Sequence, residues 1–427
     1  MLFLPKGIFM TKIKPKENQL KYLSWEFGIF LHFGIRTFCH GHHDWDGRAM
    51  DASLFDPREL DCDQWMREIK LAGTRYAVFT TKHHDGFALW PSAYTDYSVK
   101  SSAWRDGKGD VVKEFTDSCH RAGLGCGLYY SPAQWGGDVD FSDEKAYDEY
   151  FIGQITELLD GRYGKIDYLW LDGAFSGDHK YDVDRIVGII RSLQPDILIF
   201  GLDFPDVFGV GNEDGYVDTR NFYTKTLKRG DKEKTLFMAA EGDCRLRDSW
   251  FYDDNECSVK SVEELIGMYE CTVGRGANFL LNIGPDDRGL LADADVKRLH
   301  ELAAEIRRRY FVPLPFEPVK QNDDGRYEIA YSKEKYAEIS DTVNLPLVRR
   351  VVIEEDITDG EAVKQWRLIA TIPSKYPYSN WEVSICEGHG IGHKHICVIP
   401  AMRCPRFRLE VLDSDGEYKI KSIKAFS

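Results

Sequence analysis

Between residues 25 and 310 short apolar runs, rich in β-branched and aromatic side chains, alternate with longer stretches whose apolar positions recur at helical spacing. The runs expected as strands are 27–32, 76–81, 125–131, 168–172, 196–201, 235–240 and 278–283. Between them, Trp65, Ile69 and Ala72 share one helical face, as do Val111, Phe115, Cys119 and Ala122 after Asp110, a suitable N-cap. Val296, Leu299, Ala303, Ile306 and Tyr310 mark a last long helix. This rhythm predicts a parallel sheet with crossover helices, closed as a TIM-like (β/α) barrel of seven or eight strands. Seven strands are visible, and no run stands out as the eighth.

After Tyr310 the segment FVPLPFEPVK carries three prolines and ends the helical rhythm. Beyond it the runs 326–332, 347–354, 365–372, 381–386, 395–399, 407–412 and 418–425 follow one another with no helical stretch between them. Even spacing and turn signals such as Asp359-Gly360 predict an all-β sandwich. The expected organisation is therefore a barrel domain over residues 1–314 and a C-terminal β-sandwich over 315–427. The second unit reads as a cover for the barrel's flank, with a carbohydrate-binding module as the alternative.

Composition removes several classes of function. The 427 residues are 43% hydrophobic and 13% aromatic, so the chain has material for a sizeable core. With 55 basic against 70 acidic residues the net charge is −15, which disfavours nucleic acid and anionic membrane surfaces as partners. The longest apolar runs fall well short of the roughly 20 residues of a spanning helix. The first residues show no signal-peptide pattern, and ten scattered cysteines without paired short spacing read as reduced thiols, so a cytoplasmic location is expected. A homo-oligomer is compatible with such a chain.

In a parallel barrel the chemistry gathers where strands end. Those positions hold His32, then His83, His84 and Asp85, then Tyr129 and Tyr130, then Asp172, Asp203, Glu241 with Asp243, and Asn282. Asp172 ends the run YLWLD and is followed at once by Gly173, the place of a nucleophile delivered from a rigid strand. A second carboxylate is offered by Glu213 in GVGNEDGY or Glu241 in FMAAEGD. Two carboxylates make glycoside hydrolysis the natural reaction, one ionised and one protonated. The neighbours His83 and His84, and the cluster Cys39, His40, His42, His43 and Asp44, also raise a metal reading. Adjacent strand residues point to opposite faces, however, and no spaced second pair of ligands accompanies them. Imidazoles that hydrogen-bond sugar hydroxyls fit better. Trp45, Trp90, Trp135 and Trp250 offer flat apolar faces for a sugar ring.

Taken together, FGIFLHFG, DWDG, YAVFTTKHHDGFALWPS, GLYYSP, DYLWLDGA and GANFLLNIGPDDRG, in that order across residues 20–310, resemble glycoside hydrolase family 29, the α-L-fucosidases. The resemblance implies a retaining mechanism without cofactor or metal, on terminal α-L-fucose of fucosylated oligosaccharides. It casts Asp172 as nucleophile and His32, His83, His84, Asp44, Trp45, Tyr129, Glu241 and Trp250 as substrate-binding residues. The segments GVGNEDGY and AAEGDCRLRDSWFY resemble the branch specific for α-1,3/1,4 linkages, which makes Glu213 the acid/base residue; the other branch would use Glu241. This chain departs from the family pattern at Gly209 (usually tryptophan), Ala240 (usually proline) and Asp44 (usually glutamate). A sugar-binding protein without turnover, a hydrolase for a related sugar and a metal-dependent hydrolase are the rival readings.

Overall fold

The computed structural model describes residues 12–41, 46–174, 179–254, 258–332, 344–372 and 381–427. Eight parallel strands close a barrel: β1 (Phe27–Leu31), β2 (Tyr76–Lys82), β3 (Gly125–Tyr130), β4 (Tyr168–Leu171), β5 (Leu198–Phe200), β6 (Val207–Gly209), β9 (Ala239–Arg245) and β10 (Ala277–Asn282). Strands β7 (Thr224–Arg229) and β8 (Lys232–Phe237) form a separate antiparallel hairpin between β6 and β9. The helices are α1 (Glu17–Trp25), α2 (Cys62–Leu71), α3 (Val111–Ala122), α4 (Glu144–Leu159), α5 (Val183–Leu193), α6 (Val262–Thr272) and α7 (Asp293–Tyr310). Asp110 caps α3 as expected, its carboxylate accepting from the Lys113 amide at 2.8 Å.

The period-two alternation of the strands separates two cores. Ile29, Phe79, Leu128 and Leu169 face the helices, whereas Phe30, Val78, Tyr129 and Trp170 face the barrel interior. Helix α1 closes the interior from below with Tyr22 and Leu23. Gln19 on the same helix donates to the Asp206 and Phe237 carbonyls.

The run expected as one strand over 235–240 belongs to two sheets. Its first half pairs with β7, the chain turns at Met238, and the barrel strand begins at Ala239. The unplaced eighth strand is β6, a run of only three residues between Asp206 and Val210, too short to leave a periodic signal.

Each C-terminal run falls on a strand: β12 (Tyr327–Ala330), β13 (Val348–Glu355), β14 (Val363–Ile372), β15 (Trp381–His389), β16 (His395–Met402), β17 (Arg406–Ser414) and β18 (Ile420–Phe426). With the short β11 (Lys320–Gln321), they make a five-stranded and a three-stranded antiparallel sheet over one apolar core. This unit meets the barrel's helices through a buried ionic joint. Glu270 on α6 accepts from Arg350 on β13 at 2.6 Å, Tyr310 at 2.6 Å and Arg309 at 2.8 Å. Burial works against that carboxylate, but the three donors outweigh it and hold its pKa below the usual value. Its stabilisation is therefore present above the ordinary glutamate range and lost as pH falls through the lowered value. Glu270→Ala leaves Arg350 buried without its carboxylate and is expected to cost about 3 kcal/mol. An unchanged urea midpoint would show that the joint contributes nothing.

Among the described residues, no helix is long and apolar enough to cross a membrane.

Candidate active site

Asp172 is the first residue beyond β4, and its side chain is about one-third exposed. Its Oδ2 accepts from the Tyr129 hydroxyl at 2.8 Å and lies 3.3 Å from His84 Nε2. Burial would raise the carboxyl's pKa, but the hydrogen bonds and charge supplied by His84 and Tyr129 win and lower it. Asp172 is thereby an ionised carboxylate at a strand end, held by two donors and open on one side.

His83 and His84 follow β2 directly, where the chain leaves the strand and turns, the Gly86 amide donating to the His83 carbonyl. The bend lets adjacent residues share one site, with ring centroids 4.3 Å apart. His84 Nδ1 meets the Ser131 hydroxyl at 2.5 Å. His83 stacks on Tyr129 at an interplanar angle of 7°, and burial pushes its pKa well down, so the ring is neutral. His32, one residue beyond β1, bonds through Nδ1 to Asn282 Oδ1 at 2.7 Å. With Nδ1 donating, a neutral His32 ring has its acceptor at Nε2. Asn282 also donates to the Trp250 carbonyl at 2.7 Å, and the Trp250 ring lies 4.9 Å from His32. Strands β1, β2, β3, β4 and β10 thus deliver one ring of imidazole, phenol, amide and carboxylate groups.

Below this ring Trp170 forms the floor, stacked on Tyr129 and on Phe200, with centroids 5.5 and 4.1 Å away. Its indole donates to Glu241 Oε1 at 2.8 Å. Sequence placed Glu241 at a strand end, but it is the third residue of β9 and lies fully buried inside the barrel. Tyr22, Tyr76 and Tyr168 donate to its two oxygens as well. Burial raises its pKa against the pull of these four donors. Tyr76 reaches this position because Gly28 opposes it: a Cβ there would lie 2.3 Å from the ring.

Glu213 is exposed on the loop after β6. That loop is fastened to β9 twice, by the Val210 amide donating to the Glu241 carbonyl at 2.9 Å and by a bridge between Asp214 and Cys244. Asn212 closes the turn from within, accepting from the Asp214 amide and donating to the Tyr216 carbonyl. Glu213 itself adopts φ 54°, a left-handed backbone uncommon outside glycine.

The α-L-fucosidase family model matches residues 10–308, the whole barrel. The chain belongs to the α-L-fucosidase family. It is 38% identical over 314 residues to α-L-fucosidase 1 of Arabidopsis thaliana, covering 70% of this chain and 61% of that protein. This chain therefore spans about three-fifths of that relative's length. Among solved structures it resembles a glycoside hydrolase 29 family member from an unknown rumen bacterium, at 31% identity and TM-score 0.83, covering 97% of this chain and 77% of that one. The crystal structure of SpGH29 matches at 26% identity and TM-score 0.86, over 99% of this chain and all of that one.

Within this fucosidase-family barrel, His32, His83, His84, Tyr129, Asp172 and Trp250 come together. Asp44 and Trp45 lie outside the described residues. Trp90 is a core residue whose indole donates to Glu157, and Tyr130 points outward to Gln154, so neither faces the site. Sequence reasoning passed over Trp170 and Ser131. Trp170 had a signal, since it precedes Asp172 by two residues and so shares its face. Ser131, in the turn after β3, had none. His83, His84 and Asp172 bring ligand atoms within 4.8 Å of one another, a spacing a metal ion could use. In the structure Asp172 accepts from Tyr129 and faces His84.

Proposed function

We propose that the protein is a retaining α-L-fucosidase that removes terminal fucose from fucosylated oligosaccharides, with preference for α-1,3/1,4 linkages. The observation that carries the reading is Asp172, an ionised carboxylate at the mouth of a barrel whose family is α-L-fucosidase. An Asp172 oxygen attacks the anomeric carbon while the bond to the leaving sugar breaks, and Glu213 gives its proton to the departing oxygen. Water then attacks the same carbon, Glu213 takes its proton, and the ester to Asp172 breaks. His32, His83 and His84 bond the fucose hydroxyls, and Trp250 packs against the ring.

Glu213 suits the acid/base role better than Glu241 because it stands exposed on its loop, whereas all the donors around Glu241 are spent on its own carboxylate. Two clefts, of about 680 and 440 Å³, flank Trp135, whose ring lies 5.8 Å from His84. They give a branched leaving group room beyond the fucose position. The unit over residues 315–427 serves as a cover for the barrel's flank, held by the Glu270 joint.

Proton NMR of early turnover tests the reading. The first product is expected to be α-L-fucose, and α-1,3/1,4-fucosylated oligosaccharides are expected to be cleaved at least tenfold faster than α-1,2 or α-1,6 isomers. β-L-fucose as first product would reject retention, and equal rates would reject the linkage preference.

A further inference from the structure

Ser131 follows β3 directly and is fully buried. Its amide donates to the Lys82 carbonyl at the end of β2, which fixes it beside the histidine pair. The hydroxyl stands 2.5 Å from the Ala133 carbonyl, 2.5 Å from His84 Nδ1 and 3.3 Å from the carbonyl of Asp172. A serine hydroxyl has one proton to give, and a carbonyl can only accept. The Ser131 proton therefore points to Ala133, and towards His84 the oxygen presents a lone pair. His84 Nδ1 is thus the donor of that bond. On the other side of the ring Nε2 stands 3.3 Å from Oδ2 of the ionised Asp172. A nitrogen without a proton there would set two lone pairs against each other. His84 satisfies both neighbours when each ring nitrogen carries a proton, and its charge is among the causes that lower the Asp172 pKa. The His84 and Tyr129 contacts both fall on Oδ2, which leaves Oδ1 to form the bond to the sugar.

We propose that Ser131 is a positioning residue for the second half of the reaction: by accepting the Nδ1–H of His84 it holds that ring as a double donor, whose Nε2–H meets the charge returning to Asp172 Oδ2. The proposal rests on the role given above to Asp172. In the fucosyl-enzyme, Oδ1 is bonded to the anomeric carbon and Oδ2 is the carbonyl oxygen of a neutral ester. When water attacks that carbon its proton passes to Glu213, the bond from carbon to Oδ1 breaks, and the electron pair of that bond returns to the carboxylate. Donors aimed at Oδ2 strengthen as this charge develops, so they lower the barrier to the step. In the first step the same carboxylate loses charge, and these donors give it no such help. A hydrogen bond from a charged ring is roughly twice as strong as one from a neutral ring, and the Ser131 hydroxyl secures the difference.

The test is Ser131→Ala on 2,4-dinitrophenyl α-L-fucoside, whose leaving group departs without a proton, so that the second step limits kcat. There kcat is expected to fall about tenfold and KM with it, while kcat/KM, which reports the first step, stays within about threefold of the parent. A burst of dinitrophenolate equal to the enzyme present should precede the slow phase. A merely structural loss would misplace Asp172 and lower kcat/KM, so a fall in kcat/KM with KM unchanged overturns the proposal, as does an unchanged kcat. A second readout needs no variant at Ser131. In nitrogen NMR of protein carrying isotopically labelled histidine, His84, assigned by the signals lost in His84→Gln, is expected to show a proton on both ring nitrogens. In Ser131→Ala one of them is expected to be lost. An unprotonated His84 nitrogen in the parent overturns the proposal even if Ser131→Ala does not fold. Near-parental kcat in Asp172→Ala, with both His84 protons present in the parent, would reject Asp172 as nucleophile and leave the hydrogen-bond chain standing, so the two failures are told apart.

Discussion

Asp172→Ala is expected to lower kcat on 4-nitrophenyl α-L-fucoside by about 10³-fold or more, a loss of roughly 4 kcal/mol in transition-state stabilisation. The size follows from what the side chain does. It supplies the bond that replaces the leaving group, and no other carboxylate shares its place beside His84 and Tyr129 in the described site. Because Asp172 is about one-third exposed, its removal opens no sealed cavity, and the thermal midpoint should stay close to that of the parent. Added azide can enter the vacated space and attack the anomeric carbon from the nucleophile's side, giving β-L-fucosyl azide. That product, with restored turnover, identifies the missing group as the nucleophile. A variant with near-parental kcat would remove Asp172 from the mechanism. The lowered pKa adds a sign: activity in the parent should persist below the ordinary aspartate value of about 4, since the nucleophile remains ionised there.

The strand-end position of Asp172 was legible in the sequence because an apolar run that stops at a carboxylate followed by glycine marks where a strand gives way to a turn. The same logic failed for Glu241. The run 235–240 looks like one strand, and if it were, Glu241 would stand at its end. The barrel strand instead starts at Ala239, since the preceding residues pair with β7, and Glu241 drops two residues into the barrel. Hydrophobic continuity does not reveal which partner strand a residue will meet. The three-residue β6 is hidden for a related reason, since its place in the closed sheet depends on neighbours far away in sequence. The histidine pair shows the opposite case. Strand geometry separates His83 from His84, and only the end of β2 at Lys82 lets the rings converge. The C-terminal strands were easier, since antiparallel neighbours and frequent turns leave a regular spacing that needs no knowledge of the barrel.

Glu213→Ala is expected to separate substrates by leaving group. On oligosaccharides, where the departing oxygen must be protonated, kcat/KM should fall by about 10²- to 10⁴-fold. On 2,4-dinitrophenyl α-L-fucoside, whose leaving group needs no proton, the first step should be nearly unaffected and the fucosyl-enzyme should accumulate. Azide then accelerates turnover by attacking that intermediate, and the product is α-L-fucosyl azide, the opposite anomer from the Asp172→Ala reaction. Glu241→Ala provides the contrast. It strips the acceptor from three buried hydroxyls and an indole, so a drop in stability of about 3 kcal/mol is expected, without azide rescue, because the space lies under Trp170. If azide instead rescued Glu241→Ala and left Glu213→Ala near normal, the proton donor would lie beneath the floor. Trp170 would then have to leave its stack on Tyr129 and Phe200 in every catalytic cycle.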